Sequence, residues 1–393
     1  MKKNLHQRGA QAPLVGSKAT VKIDKLAVGG AGVARHEGLV VFVPLAAPDD
    51  ELLVEFTLVK KNFSEARILE IIKPGPARRT PPCPVALVCG GCNWQQISEE
   101  EQRRQKEQIV LETIQKFNRG LEFEYLPIQA SPRSLRYRNR IQPKYANGRF
   151  GFFARNSHEI VAIEDCPITE TALTDKFSEV KQWLQSQKKS GLQKLEMYIS
   201  EDDSVRYGLI SEEDDGVGFS QVNRFQNVDL IRTALDWASG EEYRHIWDLY
   251  SGAGNFTFPF AERWTSAPIT GVELNPKLVK RGQAKSRDSR IQFVESDVES
   301  FLKKTKPQSQ DLVILDPPRA GASEYIMQAL LEARPKKIIY ISCHPVSLAR
   351  DLQWFFKKAQ ELNIKASLRR VQAFEMFPQT DHVETVVELR VDS

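Results

Sequence analysis

Several features that define whole classes of protein are missing from this 393-residue sequence. No apolar run approaches the ~20 residues that a bilayer-spanning helix needs. The start Met1-Lys-Lys-Asn-Leu-His6 lacks the apolar core of a signal peptide. The net charge of +4 is too small to indicate a nucleic-acid partner by itself. We therefore expect a cytoplasmic protein that does not contact membranes, and nothing in the sequence demands a protein partner or more than a monomer.

Cysteine is scarce, with five in the whole chain, yet three of them fall within ten residues. Four cysteines have the spacing C-x5-C-x2-C plus one distant thiol: Cys83, Cys89, Cys92 and Cys166. Disulfides are rare in cytoplasmic enzymes, so this spacing favours a metal site. Four thiolates suit a tetrahedral zinc ion and an iron–sulfur cluster equally well, and the residues alone leave both open.

A phosphate-binding signature is also missing where one would be expected. The stretch 247–256 follows a predicted strand and opens a helix, and Gly252 and Gly254 allow a tight turn there. Its spacing is not G-x-G-x-x-G, and no Gly-Lys-Ser/Thr follows, so a nucleoside is a better ligand than a pyrophosphate. Glu273 ends the next strand, where a carboxylate can bind both ribose hydroxyls, and Asp297 ends the third, within reach of an adenine amino group. This pattern is typical of a methyltransferase that binds S-adenosylmethionine.

The order of predicted elements indicates a multidomain α/β protein. Short strands joined by glycine and proline turns predict a small OB-like barrel, and a regular alternation of strands and helices predicts a Rossmann-like sheet with a final hairpin. The predicted divisions are a tail at 1–16, the barrel at 17–73, a central α+β domain with the cysteines at 74–215, and the α/β domain at 216–393. A helix over 98–118 is expected to pack on the last of these.

A basic stretch lies in the central domain, at residues 131–155. It holds seven arginines and lysines, no acid, and five interleaved aromatic residues. Basic side chains follow a phosphate backbone and aromatic rings stack on unpaired bases, so the stretch favours RNA binding. Arg136, Arg138 and Arg140 are its candidate RNA contacts.

A reactive centre is predicted around Cys343, which ends the buried strand at 338–341 near a helix N-terminus. Asp316 ends the preceding strand and is fixed by two prolines, and Glu384 begins the last strand. A thiol, a carboxylate and a methyl donor together indicate methylation at carbon 5 of a pyrimidine. The thiolate of Cys343 adds to carbon 6, and Glu384 removes the carbon-5 proton. His382 is a rival base.

The chain resembles the RNA uracil-C5 methyltransferase family, of the bacterial 23S ribosomal RNA type, over nearly its whole length. The motifs that carry the resemblance are 219–223, 248–255, 316–319, 342–345 with 348–352, and 382–385. The resemblance implies that residues 17–73 form an RNA-binding TRAM domain and that the four cysteines bind a [4Fe-4S] cluster. It also implies that Cys343 is the nucleophile and Glu384 the base.

The same resemblance implies a set of ligand contacts. S-adenosylmethionine would be bound by Gln221, Tyr250, Asn255, Glu273, Asp297 and Asp316. Gln221 and Asp316 would also lie near the target uracil. The chain departs from many relatives at His344, where they have Asn, and at Ser251, where they have Cys.

The function that follows is methyl transfer to carbon 5 of a uridine in 23S ribosomal RNA. The same chemistry on transfer RNA is an alternative, and a non-catalytic RNA-binding or ribosome-assembly factor is another. A cytosine-C5 enzyme would need a carboxylate on the ring nitrogen and usually has Pro-Cys or Thr-Cys, whereas this chain has Ser342-Cys343.

Overall fold

The computed structural model describes residues 13–187, 190–210 and 221–392. Most of the predicted tail at 1–16 therefore lies outside the described residues. The chain divides into two compact units. The first consists of Met1–Gln105, Phe152–Val161 and Gln379–Asp381, and the second of Lys106–Gly151, Ala162–Pro378 and His382–Ser393. Among the described residues, no helix combines the length and the apolar character needed to cross a bilayer.

A closed five-stranded barrel occupies most of the first unit. Its strands are β1 (Lys18–Leu26), β2 (Gly32–His36), β3 (Leu39–Val43), β4 (Glu51–Val59) and β5 (Phe63–Lys73), in the order β1-β2-β3-β5-β4. Inward positions alternate with exposed ones, as in Val21 and Ile23 of β1, which are buried. The predicted OB-like barrel is confirmed. The short strand β2, which follows the Gly29–Gly32 turn, was not among the predicted strands.

A buried ion pair closes the barrel where β4 begins. The carboxylate of Asp50 is fully buried and accepts hydrogen bonds from the backbone N–H groups of Ala47 (2.6 Å) and Gly75 (2.9 Å). The guanidinium of Arg78 donates to both carboxylate oxygens, at 2.9 and 2.6 Å. One side chain therefore ties the turn before β4 to the chain that leaves β5.

Replacing Asp50 by alanine should destabilise the barrel by ~3–5 kcal/mol, because it removes the carboxylate that pairs with the largely buried guanidinium of Arg78 and leaves two backbone donors without an acceptor. Hydrogen exchange of the barrel amides should accelerate at least ~100-fold, and mass spectrometry of peptides from β1–β5 would measure it. The matched control is Glu51→Ala, since Glu51 is 42% exposed and its ion pair with the exposed Lys73 is long, at 3.9 Å. Equal exchange rates in the two variants would contradict this role of Asp50.

The middle of the chain forms one long helix, a strand and a small sheet. The helix is α1 (Glu99–Phe117) and the strand is β6 (Glu124–Gln129). The sheet contains β7 (Arg140–Ile141), β8 (Lys144–Ala146), β9 (Arg149–Phe153), β10 (Ile160–Ala162), β11 (Gln193–Ile199) and β12 (Val205–Leu209), in the order β10-β9-β8-β11-β12 with β7 beside β11. The single helix expected at 171–187 is two, α2 (Thr171–Thr174) and α3 (Phe177–Ser186). The hydroxyl of Thr174 donates to the carbonyl of Thr171 and competes with the helical pattern at the break.

An eight-stranded sheet organises the second unit. Its further strands are β13 (Ile246–Leu249), β14 (Ile269–Glu273), β15 (Ile291–Glu295), β16 (Leu312–Leu315), β17 (Lys337–Ser342), β18 (Ala366–Phe374) and β19 (Glu384–Val391). The order is β15-β14-β13-β16-β17-β19-β18-β6. Strands β13 to β17 are parallel, and β19 runs antiparallel to both β17 and β18. The predicted Rossmann-like sheet with a final hairpin is confirmed. Strand β6, from the predicted central domain, is an addition, paired parallel to β18.

The described helices that flank this sheet include α4 (Arg224–Ala238), α5 (Thr257–Arg263), α6 (Pro276–Lys285), α7 (Val298–Lys304), α8 (Glu324–Ala333) and α9 (Pro345–Glu361). Alternate residues of β16 enter different cores, with Val313 and Leu315 in one and Leu312 and Ile314 in the other. Both faces of the sheet are therefore covered, and its polar ligands can gather only at an edge.

Candidate active site

The carboxyl ends of the central parallel strands bring the predicted reactive residues to one edge. Leu249 of β13 pairs with Leu315 of β16, which pairs in turn with Tyr340 of β17. Beyond these ladders the N–H of Asp316 donates to the carbonyl of Leu249 at 3.2 Å. Tyr250, Asp316 and Cys343 thus leave adjacent strands at the same edge of the sheet.

The antiparallel strand β19 supplies the second reactive side chain. Its register pairs Ser342 with Thr385, so the next position sets Cys343 opposite Glu384. Glu384 is 2% exposed and Cys343 is half-buried. Strand pairing therefore brings together a thiol and a carboxyl that are 41 positions apart in the sequence numbering.

The thiol of Cys343 lies in surroundings that oppose its ionisation. Burial, the largest cause, raises its pKa to about 12, with Glu384 and Asp316 in their ionised forms adding to the shift and Arg319 opposing it. Arg319 is therefore the charge among these groups that favours the thiolate, the form of cysteine that acts as a nucleophile.

Three acids near this edge also favour the protonated form. Burial raises the pKa of Asp316 to about 8, and repulsion from Asp248 adds to the shift. Burial raises the pKa of Asp248 to about 7, against an opposing hydrogen bond from Thr257. The pKa of Glu384 is raised well above its ordinary range by burial and by Asp316. Asp316 and Asp248 can therefore exchange protons near neutral pH.

These shifts predict that Asp316→Asn stabilises the protein at high pH. Since the folded-state pKa of Asp316 is raised, the native state holds a proton that the unfolded state loses from about pH 4 upward, and stability falls as the pH rises towards 8. Asparagine does not titrate, so the variant should gain ~1–3 kcal/mol over wild type by pH 8. The measurement is the difference in melting temperature at pH 5 and pH 8.

Asp297→Asn is the control for that experiment, because the pKa of Asp297 is lowered by hydrogen bonds from Ser300 and the side chain is exposed. The difference in melting temperature between Asp297→Asn and wild type should not grow from pH 5 to pH 8. If the difference between Asp316→Asn and wild type also stayed constant over this range, the argument from burial of Asp316 would be contradicted.

The glycine turn after β13 has the shape of a nucleoside site. Gly252 has a φ of +57° and open space where a Cβ would project, whereas a Cβ on Gly254 would lie 2.5 Å from Phe258. The carboxylate of Glu273 accepts hydrogen bonds from the N–H groups of Gly252 (3.0 Å) and Asn275 (2.7 Å), which fix it beside the turn. Within the part of the chain that the structure describes, the buried atoms Asp248 Oδ1 and Ser251 Oγ have no hydrogen-bond partner. A polar ligand such as S-adenosylmethionine fits this set of residues.

The remaining predicted cofactor residues lie on three elements. Asp297 caps α7 by accepting from the N–H of Ser300 at 2.8 Å. Asn255 exchanges two amide hydrogen bonds with Asn227, at 2.8 and 3.2 Å. The carbonyl of Gln221 accepts from the amide of Asn139. Residues 219 and 220 of the same motif lie outside the described residues.

The departure at His344 has a structural explanation. His344 is the N-cap of α9, and its ring Nδ1 accepts from the N–H of Ser347 at 3.3 Å. Asparagine, which many relatives have here, is among the best N-cap residues. Both side chains supply an acceptor, so the helix start beside Cys343 is preserved.

Two acids of the second unit were not selected from the sequence. Asp248 lies within the fully buried strand β13, and Asp351 is fully buried in α9. The sequence held a signal for both, since each acid stands among apolar residues, one in a strand and one on the apolar face of a helix. An acid buried in such surroundings seldom lacks a role. Asp351 is considered further below.

The cysteines of the first unit lie near a cation. The N–H of Gly91 approaches Cys89 Sγ at 3.5 Å, and the guanidinium of Arg155 donates to the carbonyl of Cys92 at 2.9 Å. Cys166 belongs to the second unit. Within residues 13–187, 190–210 and 221–392, no three or more His, Cys, Asp or Glu side chains form a group that could hold a metal ion. The [4Fe-4S] cluster implied by the family resemblance therefore stays a prediction.

The basic stretch at 131–155 is more engaged with the protein than its sequence indicates. Arg136 forms a two-fold hydrogen-bonded pair with Asp165, and Arg140 pairs with Glu196 and is only 12% exposed. Arg138 Nε donates to the carbonyl of Arg140. Three of the five aromatic residues, Tyr137, Tyr145 and Phe150, are buried. Those three are core residues, so the interpretation of them as base-stacking rings was wrong.

Comparison with known proteins places this site in context. Residues 13–69 match the TRAM domain, residues 300–391 match tRNA (uracil-5-)-methyltransferase, and residues 243–343 match RNA cap guanine-N2 methyltransferase. A protein of Bdellovibrio bacteriovorus described as an uncharacterized RNA methyltransferase is 68% identical over 99% of both chains. The 23S rRNA (uracil(1939)-C(5))-methyltransferase RlmD of Shewanella sediminis is 29% identical over 96% of both.

A solved structure extends the likeness of fold. The tRNA (uracil-54, C5)-methyltransferase of Pyrococcus abyssi, in complex with S-adenosyl-L-homocysteine, superposes with a TM-score of 0.72 at 22% identity, over 94% of this chain and 100% of that one. A TRAM barrel and a doubly wound sheet whose edge carries acids and a thiol define an RNA methyltransferase. The chain belongs to the RNA uracil-C5 methyltransferase family.

Proposed function

We propose that the protein transfers a methyl group from S-adenosylmethionine to carbon 5 of a uridine in 23S ribosomal RNA. The observation that carries this proposal is the strand register that sets Cys343 opposite Glu384 at the reactive edge. It supports a nucleophile and a base acting on the same ring.

The residues divide the chemistry between them. The Cys343 thiolate adds to carbon 6 of uracil, and the electron pair moves to the ring to give an enolate that is nucleophilic at carbon 5. S-adenosylmethionine supplies the electrophilic methyl group. Glu384 then removes the carbon-5 proton, and the thiolate leaves as the double bond re-forms. Asp316, whose pKa is raised by burial to about 8, would hydrogen-bond the uracil.

Cofactor and uracil contacts follow from the same edge. Glu273 would bind the ribose hydroxyls, Asp297 the adenine amino group, and Tyr250 and Asn255 the rest of the nucleoside. Gln221 and Asp316 would contact both cofactor and uracil. The fixed orientation of the Glu273 carboxylate by two backbone donors supports its assignment.

Ribosomal RNA is proposed as the substrate because the Shewanella relative, similar over 96% of both chains, is named as a 23S rRNA enzyme. Transfer RNA is the second candidate, favoured by the name of the Pyrococcus protein. We also predict that Arg138 contacts the RNA. Arg136 and Arg140 would contact it only after exchanging their present ion-pair partners, Asp165 and Glu196, for RNA phosphates.

The test is methyl transfer from tritiated S-adenosylmethionine to full 23S rRNA and to total tRNA transcripts, with nuclease mapping of the product. We expect 5-methyluridine at one or a few positions of 23S rRNA. Product confined to tRNA would replace the substrate, and a methylated cytidine would contradict the uracil assignment. No methylation of either RNA would favour the RNA-binding alternative.

We also propose that Cys83, Cys89, Cys92 and Cys166 bind a [4Fe-4S] cluster. The support is the donor set and the family resemblance, together with Arg155, whose guanidinium donates to the carbonyl oxygens of Cys89 and Cys92 and brings a positive charge beside these cysteines. Iron and acid-labile sulfide should be close to four each per chain after anaerobic purification. Cys89→Ser should lose most of both, whereas Cys343→Ser should keep them. A preparation that binds zinc instead of iron would contradict the cluster.

A further inference from the structure

The loop at residues 317–322, here called the Arg319 loop, is attached to helix α9 by three hydrogen bonds. The hydroxyl of Ser347 donates to the carbonyl of Arg319 at 2.7 Å, and the guanidinium of Arg350 donates to the carbonyl of Ala320 at 2.6 Å. The N–H of Ala322 donates to the carboxylate of Asp351 at 2.8 Å. The loop follows Asp316, and α9 follows Cys343, so these bonds join the two segments that leave the reactive edge.

Asp351 is the centre of this attachment. Its carboxylate is fully buried and also accepts from the phenol of Tyr340 at 2.6 Å and from Arg350 Nε at 2.9 Å. Burial raises the pKa of Asp351, while the bonds from Tyr340 and Arg350 lower it. A buried carboxylate with this many donors is costly to disturb, because each lost bond leaves a buried polar group unpaired.

The backbone of the loop rests directly on this carboxylate. Gly321 has a φ of +81°, and a Cβ there would lie 2.4 Å from Asp351 Oδ2 and 3.0 Å from the Cβ of Ser347. Only glycine permits both the backbone conformation and the close approach. The Arg319 loop is therefore held on α9 by packing as well as by hydrogen bonds.

Two titratable carboxyls and one permanently charged guanidinium, on different elements, influence the ionisation of the Cys343 thiol. Glu384 begins β19, Asp316 follows β16, and Arg319 lies in the loop. The two carboxyls oppose thiolate formation and Arg319 favours it. His344 neighbours Cys343 on its own segment and is oriented towards Ser347. The position of the Arg319 loop thus decides how strongly the guanidinium of Arg319 favours the thiolate form of Cys343.

We infer that Asp351, with Ser347 and Gly321, is a positioning residue that fixes the Arg319 loop on α9, beside the segment of Cys343, and so sets how strongly Arg319 acts on that thiol. The inference rests on the proposed function for its catalytic meaning. Asp351 does not touch the reacting atoms and acts through the Arg319 loop.

The test measures alkylation of Cys343 by iodoacetamide as a function of pH, with the labelled peptide quantified by mass spectrometry. Arg319→Gln should lower the rate at pH 8 by about tenfold, since loss of a nearby opposite charge raises a thiol pKa by about one unit. Gly321→Ala and Ser347→Ala should each lower it by about threefold. Neither should lower it further when Arg319 is already glutamine, because both act through that side chain.

Gly120→Ala is the matched control, since Gly120 also has a positive φ (+78°) but open space around it. It should leave the alkylation profile unchanged. If Gly321→Ala does not fold, Ser347→Ala carries the test alone. An unchanged profile in the folded variant, or an equal loss with and without Arg319, would overturn the inference.

This experiment needs neither RNA nor S-adenosylmethionine. If Cys343 were not the nucleophile, the alkylation shifts would persist while methyl transfer survived in Cys343→Ala. Failure of the positioning inference and failure of the proposed function therefore give different results.

Discussion

Replacing Cys343 by alanine is expected to abolish methyl transfer while S-adenosylmethionine still binds. Without the thiol, carbon 5 of uracil is never converted into a nucleophile, so the loss should reach at least ~10⁴-fold. Glu273 and Asp297, the predicted cofactor residues, lie on β14 and at the start of α7, outside the segment that carries Cys343. Single-turnover methylation and calorimetric titration with S-adenosyl-homocysteine would measure the two properties separately.

The outcome discriminates between classes of function. Lost turnover with an unchanged dissociation constant for the cofactor product is the expected result. Turnover within tenfold of wild type would remove Cys343 as nucleophile, even if every contact around it were correct. Loss of both properties would indicate a damaged fold, and Cys343→Ser would then be used, since serine fills nearly the same volume.

Replacing Glu384 by glutamine is expected to trap the reaction after methyl transfer. Glutamine cannot accept the carbon-5 proton, so the methylated RNA should remain bound to Cys343 and release should slow by ~10²–10⁴-fold. A denaturing gel with tritiated methyl groups would show a labelled protein–RNA band. Glu384 is 2% exposed and paired to Phe374 across the β18–β19 ladder, so the isosteric substitution should leave the strand in place.

His382 provides the comparison for that experiment. It is the rival base from the sequence, and its ring contacts Phe377 at a centroid distance of 5.8 Å. His382→Gln should release product at a rate close to that of wild type. A labelled band in His382→Gln and none in Glu384→Gln would exchange the two assignments.

Much of the catalytic sheet could be predicted because its signals are local. Each parallel strand is a short apolar run, and an acid or a thiol follows directly at the edge where ligands bind, as at Glu273, Asp316 and Cys343. The position of such a residue at the end of its own strand needs no knowledge of distant pairing. The barrel was predicted for the same reason, from alternation and turn residues.

The parts that escaped prediction depend on contacts between distant segments. Strand β6 lies at residues 124–129, yet it pairs with β18 near residue 370, and no local pattern indicates that partner. The basic stretch shows the same limit: burial separates Tyr137, a core residue, from an exposed aromatic ring, and sequence spacing cannot reveal burial. Asp351 was missed because its importance comes from the loop that it holds, which lies about thirty positions away.

The pairing of Cys343 with Glu384 depends both on local sequence signals and on contacts between distant segments. The sequence places each residue at a strand end, but only the antiparallel register between β17 and β19 shows that the two ends meet. The unusual protonation of the site, with a thiol pKa of about 12 beside carboxyls of raised pKa, arises from burial at that meeting point. The two candidate residues could therefore be predicted from the sequence, whereas their geometry could not.

The most direct test of the account is covalent trapping on 23S ribosomal RNA transcribed with 5-fluorouridine. Anaerobically purified protein and S-adenosylmethionine are incubated with this RNA and separated on a denaturing gel. Fluorine at carbon 5 cannot leave as a proton, so a protein–RNA complex should persist, map to one uridine, and be lost in Cys343→Ala. Absence of a complex with both 23S rRNA and transfer RNA, from protein shown to bind S-adenosylmethionine, would contradict the covalent mechanism.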